Sequence, residues 1–159
     1  MLNVQIQPYN ESRSIEIADL FHRSVHAVNT ECYSAKQKEA WAPTLPDYTF
    51  WRERLKVKRP FMALVNDVLA GFIELEPDGH IDCMYTHPKF QGKGVASILY
   101  DYVENIAKTK GLMHLCVEAS KVAKPFFEQR GFETTCQNQV QRRGVTLVNF
   151  SMQKRIEQD

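Results

Sequence analysis

The chain has 159 residues, a formal net charge of +1 at pH 7 and 43% hydrophobic residues. This length predicts one domain, residues 1–159, with a single core. The near-neutral charge gives no electrostatic basis for nucleic acid or an anionic membrane as the main partner. No apolar run is long enough to span a bilayer, and residues 1–5 lack the basic and apolar regions of a signal peptide. We therefore expect a cytoplasmic protein.

The chain contains four cysteines, none of them in a C-x-x-C pair: Cys32, Cys83, Cys116 and Cys136. We interpret them as free thiols in a reducing compartment; a catalytic cysteine, the alternative, would need a histidine beside it. His22 and His26 are one helical turn apart, but no third ligand motif accompanies them. We therefore expect no metal.

Hydrophobic periodicity and turn residues predict seven strands and five helices along the chain. The predicted strands are residues 2–7, 61–65, 69–75, 80–86, 113–119, 133–142 and 145–152. The predicted helices are residues 14–28, 34–41, 47–60, 95–110 and 122–130. Short turns favour antiparallel hairpins, whereas the strand–helix–strand unit around residues 95–110 should be parallel and right-handed. The order predicts an α+β fold with a mixed sheet.

A glycine turn, Gln91-Gly92-Lys93-Gly94-Val95-Ala96, joins a predicted strand to the longest amphipathic helix. The first N–H groups of a helix have no internal partners and carry the positive end of its dipole, so they favour an anion. Glycines at positions 92 and 94 remove the Cβ atoms that would keep a phosphate away. These properties suit a pyrophosphate site, although glycines required only by turn geometry would give the same pattern.

Two well-known phosphate loops fit this turn poorly. A Walker loop requires Ser or Thr after its lysine, and Gly94 follows Lys93 here. A dinucleotide fingerprint requires a third glycine where this chain has Ser97. A small nucleotide-binding oxidoreductase is therefore a weaker interpretation.

Residues 91–96 match, at every specified position, the Gln/Arg-x-x-Gly-x-Gly/Ala motif of the GNAT family of N-acetyltransferases. The similarity extends back through residues 81–88. It extends forward to a segment that resembles the family's second cofactor motif, with Ser120, Ala123, Phe126, Phe127, Gly131 and Phe132. These motifs cover about residues 61–132, and the order of elements fits over nearly the whole chain.

The resemblance implies a GNAT-like fold in which strands 81–86 and 113–119 splay into a V, and it implies acetyl-coenzyme A as co-substrate. Backbone groups near Met84 and Thr86 would bind the pantetheine arm and the thioester, and a Met84 N–H would hold the oxyanion. Ser120 stands where the family often has an asparagine. The expected cofactor contacts are Met84, Tyr85, Thr86, Gln91, Gly92, Lys93, Gly94, Val95, Ala96, Ser97, Ser120 and Phe127.

The acceptor must be a neutral amine, and deprotonating a lysine-like amine at neutral pH costs roughly 4–5 kcal/mol. The family often places base-like groups on the strand before the glycine turn. His80 and Asp82 lie there on one face of the strand, and His80 has the better intrinsic pKa. Glu118, at the end of a strand beside the cleft, and Glu74 are further candidates.

Many family members protonate the leaving thiolate with a tyrosine at the position of Phe127. Tyr85 and Tyr33 are the possible replacements here. Releasing a bare thiolate costs only about 2 kcal/mol at neutral pH, so water is an adequate proton source.

The resemblance therefore implies an acetyl-CoA-dependent N-acetyltransferase acting on a primary amine of a small molecule or peptide, as a monomer or homodimer. The missing tyrosine motivates an alternative, a non-catalytic acyl-CoA-binding or regulatory module. The predicted acceptor pocket consists of N-terminal residues: Phe21, His22, His26, Tyr33 and Trp41.

Overall fold

A computed structural model of the chain describes residues 2–157. The strands in this range are β1 Val4–Pro8, β2 Phe61–Val65, β3 Val68–Leu75, β4 His80–Thr86, β5 His114–Ala119, β6 Glu133–Arg142 and β7 Val145–Arg155. The helices are α1 Ser14–His26, α2 Ala35–Trp41, α3 Tyr48–Lys58, α4 Val95–Thr109 and α5 Lys124–Gln129. Within residues 2–157, no helix combines the length and apolarity that crossing a membrane requires.

The strands form one sheet in the order β1-β2-β3-β4-β5-β7-β6. β4 and β5 pair in parallel, and the other neighbours pair antiparallel. This arrangement confirms the predicted α+β fold with a mostly antiparallel mixed sheet.

The end of the sheet differs from the prediction, because β7 continues to Arg155 instead of ending at residue 152. Residues 153–155 are polar and give no apolar strand pattern. They remain in the sheet because the start of β5 pairs with them, as in Leu115↔Lys154 and His114↔Arg155. Backbone pairing with a neighbouring strand overrides local hydrophobicity here.

Each face of the sheet is covered by helices. On one face, α4 buries Val95, Leu99 and Val103 in a core that also contains Phe127 and Phe132. On the other face, α1 and α3 cover a second core whose members are Tyr9, Ile17, Ala18, Leu20, Trp51, Leu55, Met62, Leu64, Leu69 and Phe72. The three- and four-residue spacing of apolar positions in α1 and α4 explains why both helices lie flat on the sheet.

β4 and β5 pair in parallel over a short length only, and this short pairing leaves a gap at the centre of the sheet. β4 and β5 share only the register pairs His80↔Cys116 and Ile81↔Val117. β4 nevertheless continues along β3 to Thr86, and β5 continues along β7 to Ala119. The two strands therefore diverge after Ile81 and Val117, which confirms the predicted V.

Gly79 sits at the closed end of this V. Its carbonyl accepts a hydrogen bond from the Cys116 N–H at 3.1 Å. It has a φ of 98°, and a Cβ atom at this position would lie 2.3 Å from the His114 carbonyl oxygen. Only glycine fits both the backbone conformation and the approach of β5.

We expect Gly79→Ala to lower the free energy of unfolding well beyond the roughly 1–2 kcal/mol of left-handed backbone strain, because the added methyl group forces β4 and β5 apart. Urea unfolding measures the change. Gly144→Ala is the matched control: Gly144 has a φ of 76°, and a Cβ atom there would meet nothing within 4 Å. Equal losses of stability in the two variants would contradict the prediction.

Candidate active site

A cavity lies at the beginning of α4, and we call it the α4 cavity. α4 starts after Gly94, which has a φ of 85°, and no side chain caps the helix. Its first N–H groups therefore lack a side-chain acceptor at the positive end of the helix dipole. A Cβ atom added to Gly92 or Gly94 would meet no atom within 4 Å, so the space before the helix is open. An anion is favoured at such a helix end.

The open V supplies free backbone groups to the same cavity. The His87 N–H donates to the Ala70 carbonyl of β3 at 2.8 Å. Strand alternation then turns the N–H and C=O of Met84 and Thr86 away from β3 and toward β5. The Thr86 carbonyl already accepts a hydrogen bond from the Ser24 hydroxyl at 2.6 Å. Of these two residues, only Thr86 has a carbonyl bonded to α1. The backbone groups of Met84 point into the gap and have no partner from α1.

A second cavity, which we call the fork cavity, lies where β4 and β5 begin to diverge. Its charged lining residues are Asp82, Glu118 and Arg142. Five residues line both the α4 cavity and the fork cavity: Trp41, Met84, Tyr85, Ser120 and Ala123. The two cavities therefore adjoin at the V, where these five residues form walls of both.

His80 bridges two carboxylates at the closed end of the V. Its Nδ1 lies 2.5 Å from Glu76 Oε1, and its Nε2 lies 2.8 Å from Glu118 Oε1. Burial by itself would lower the pKa of His80, but the hydrogen bonds to Glu76 and Glu118 outweigh burial and raise the pKa. Both ring nitrogens are thus engaged by carboxylates, so neither is open to an acceptor amine.

Asp82 belongs to a network of ion pairs with α3. Arg54 Nη2 lies 2.9 Å from Asp82 Oδ2, and Arg54 Nη1 binds the fully buried Glu74. Lys58 Nζ lies 2.7 Å from Asp82 Oδ2 and 3.2 Å from Glu76 Oε2. Burial would raise the pKa of Asp82, but Lys58 and Arg54 hold that pKa below its usual value.

Three potential metal ligands, Glu76, His80 and Asp82, have ligand atoms within 4.8 Å of one another. The Lys58 ammonium already lies between the two carboxylates, and both His80 nitrogens bond to carboxylates. The cluster is therefore neutralised by the protein's own cations.

Comparisons with known proteins agree with this geometry. A family model described as an acetyltransferase (GNAT) domain matches residues 29–154. YafP of Escherichia coli (strain K12), an uncharacterized N-acetyltransferase, is 34% identical over 152 residues, 96% of each chain. The chain belongs to the GNAT family of N-acetyltransferases.

Solved structures show the same fold. A GCN5-related N-acetyltransferase from Rhodopseudomonas palustris superposes with a TM-score of 0.91, at 31% identity and over 98% of both chains. The PaiA N-acetyltransferase of Thermoplasma acidophilum, solved in complex with coenzyme A, has a TM-score of 0.74 at 18% identity, over 97% of this chain and 99% of the other.

Most of the residues predicted from the GNAT motifs lie together at the α4 cavity. Its walls include Met84, Tyr85, Thr86, Gln91, Gly92, Gly94, Val95, Ala96, Ser97 and Ser120. Lys93 is exposed and not among these walls. Phe127 is only 1% exposed and lines the fork cavity, while its neighbour Phe126 lines the α4 cavity.

The hydroxyl of Ser120 accepts a hydrogen bond from the Ala123 N–H at 3.1 Å. This contact stabilises the turn that leads into α5 in this GNAT chain. The side chain at the position of the family's asparagine is therefore engaged within its own turn.

The two tyrosines proposed as proton donors differ in their surroundings. Tyr85 packs against Phe21 and Phe72 and lines both cavities, and burial raises its pKa well above the usual value. The Tyr33 hydroxyl donates to the Val148 carbonyl at 2.7 Å and accepts from the Lys121 N–H at 2.9 Å. Tyr33 therefore joins three segments around the fork cavity.

Sequence reasoning missed residues whose roles depend on long-range contacts. Arg130 Nη2 donates to the Ser97 hydroxyl at 2.5 Å, and its guanidinium lies 3.7 Å from the centre of the Phe126 ring. This arrangement puts a cation beside the first turn of α4. In the sequence, the one indication of this contact is the basic residue that directly precedes Gly131. Glu76 gave a clearer signal, since it and His80 flank the turn at residues 77–79.

We expect His80→Gln to destabilise the protein most at mildly acidic pH. The folded-state pKa of His80 is raised above the unfolded value of about 6.5. Its stabilising effect is therefore fully present below that value and is lost as the pH rises through the folded-state pKa. Urea unfolding of both proteins between about pH 5.5 and 9 measures this difference.

His114→Gln is the matched control, because His114 is exposed at the start of β5. A difference between wild type and His80→Gln that stays constant over the whole pH range would show that the charged pairs of His80 do not stabilise the fold.

Proposed function

We propose that the protein transfers the acetyl group of acetyl-CoA to a primary amine of a small molecule or peptide. The observation that carries this proposal is the uncapped N-terminus of α4, open to a cavity that meets the fork cavity across the V. PaiA, whose fold is similar, was solved with coenzyme A, which supports the same class of donor here.

In this proposal the pyrophosphate binds the N–H groups at residues 92–97, where the helix dipole stabilises its charge. Arg130, beside Ser97, adds a cation near the phosphates. The pantetheine arm extends along β4, where the free backbone groups of Met84 bind it. The thioester then lies near the five residues common to both cavities, with the Met84 N–H available to the oxyanion.

The acceptor amine occupies the fork cavity, and Glu118 is the proposed base. Its Oε1 is held by His80, which leaves Oε2 free for the amine or for a water that relays its proton. His80 and Asp82 act as positioning groups, because both are engaged in ion pairs. The neutral amine attacks the thioester carbon, the C–S bond breaks and the acetyl group becomes an amide.

The leaving thiolate needs a proton, and Phe127 provides none. A thiol with a pKa near about 8.5 leaves as the thiolate at modest cost, so water completes the step. Tyr85, which lines both cavities, is the side-chain candidate for this transfer.

The same proposal includes the cellular compartment, the absence of a metal requirement and the oligomeric state. The four cysteines are free thiols, which favours a reducing compartment, the cytoplasm. The reaction uses no metal, and the protein works as a monomer or homodimer.

We expect Gly94→Asp to abolish acetyl-CoA binding in isothermal titration, because it brings a negative side chain into the open space before α4. Gly111→Asp is the matched control: Gly111 has a φ of 72°, similar to the 85° of Gly94, and a Cβ atom there also meets nothing within 4 Å. Gly111 lies after the other end of α4, so its variant should bind normally. Normal binding by Gly94→Asp would show that the phosphates bind elsewhere.

We expect Glu118→Gln to lower kcat by about 100-fold or more, the usual effect of losing a general base, with unchanged acetyl-CoA affinity. Thiol release over a panel of amines measures turnover, and titration measures affinity. Glu133→Gln, which changes an exposed carboxylate at the start of β6, should be fully active. Binding of acetyl-CoA with no turnover of any amine by the wild type would instead favour the non-catalytic module.

A further inference from the structure

One charged residue that lines the fork cavity, Arg142, forms no ion pair within residues 2–157. Arg142 is an exposed residue that ends β6 and lines the same cavity as the carboxylates of β4 and β5. Along β7, Arg142 pairs with Val145 and Glu118 pairs with Ser151, so the guanidinium and the Glu118 carboxylate belong to different ends of the cavity. Its guanidinium donates to the neighbouring Gln141 carbonyl at 3.0 Å. Among residues 2–157, no carboxylate lies within 4.0 Å of it. Asp82 and Glu118, by contrast, are each paired with a cation of the protein.

Arg142 is held in place by the segment that carries it. The tip of the β6–β7 hairpin is tied to α2 through Arg143 Nη1, which donates to the Ala40 carbonyl at 2.7 Å. Gln37 Nε2 donates to the Thr146 carbonyl at 3.0 Å. The Tyr33 hydroxyl bonds the same hairpin at Val148. The guanidinium is therefore attached to an anchored wall of the cavity.

The lining between these charges is apolar. Tyr33, Trp41, Val140 and Leu147 belong to the fork cavity. Beyond Arg142 the cavity adjoins an outer groove that shares Trp41 and Arg142 and is lined by apolar side chains such as Leu45 and Phe50. A ligand in this space meets carboxylates at one end, apolar groups along its length and a guanidinium on the far side.

We propose that the acceptor carries a carboxylate as well as its primary amine, and that Arg142 binds this carboxylate. The acceptor class is then a short apolar peptide or another amine whose carboxylate is separated from it by an apolar spacer, because Glu118 and Arg142 start six residues apart along β7. A guanidinium forms paired, charge-assisted hydrogen bonds with a carboxylate, and Glu118 receives the amine at the other end. This assignment rests on the proposed function, since it specifies the acceptor of that same site.

Matched pairs of amines test the assignment on the full chain with acetyl-CoA. Each pair differs only at the carboxylate: 6-aminohexanoate and pentylamine, 8-aminooctanoate and heptylamine, glycylphenylalanine and its amide, glycylleucine and its amide. Thiol release gives kcat/KM for each. We expect the carboxylated member of at least one pair to be preferred by about 10- to 100-fold, the usual contribution of a hydrogen-bonded charge.

Arg142→Gln should bring that ratio close to one by raising KM for the carboxylated member, and Arg142→Glu should reverse it. Unchanged acetyl-CoA affinity in both variants shows that they are folded. Arg155→Gln is the matched control, because Arg155 is an exposed arginine of the same sheet at the far end of β7; it should keep the wild-type ratio.

Three results overturn this inference, and they differ in what they say about the reaction. Equal or better turnover of the decarboxylated amines by the wild type rejects the carboxylate site while the N-acetyltransferase function stands. A preference for carboxylates that survives Arg142→Glu rejects Arg142 as its origin. Absence of turnover for every pair, with acetyl-CoA bound, rejects the proposed function and this inference together.

Discussion

The divergence of β4 from β5 is the constraint on which the rest of the site depends. Because β4 and β5 pair over only two residues, some of their backbone groups lack the hydrogen bonds that a longer parallel pair would form. Met84 offers those groups to a ligand, and the gap joins the α4 cavity to the fork cavity. Gly79 fixes the closed end, because the His114 carbonyl approaches too closely for any side chain. The cavities thus exist because the parallel pairing of β4 with β5 ends early.

The charged cluster at the closed end gives this opening a rigid base. Arg54 and Lys58 extend from α3, Glu74 and Glu76 belong to the β3 side, and His80 links them to Glu118 on β5. Breaking one member of such a network leaves a partly buried charge without its partner, which is costly. The cluster therefore orients Glu118 at the same time as it connects the helices to the diverging strands.

Local sequence patterns were sufficient for the type and order of the elements and for most walls of the α4 cavity. The strand–glycine–helix order brings residues 91–97 together because they are adjacent in the chain, and the apolar stripe of α4 predicts its burial. The fork cavity was harder, since its charged residues Asp82, Glu118 and Arg142 come from three separate strands. His80 is the clearest case: a favourable intrinsic pKa made it an attractive base, but two carboxylates brought to it by the fold occupy both of its ring nitrogens. Nothing local to His80 indicates the contact with Glu118.

One indole side chain belongs to three cavities of the described chain. Trp41 forms part of the α4 cavity, the fork cavity and the outer groove. A ligand that shifts this ring in one of them alters the shape of the other two. Thermodynamic linkage then requires that donor and acceptor change each other's affinity by the same factor. The strength of the coupling between the donor and the acceptor of the proposed reaction is therefore a property that a single residue of α2 can set.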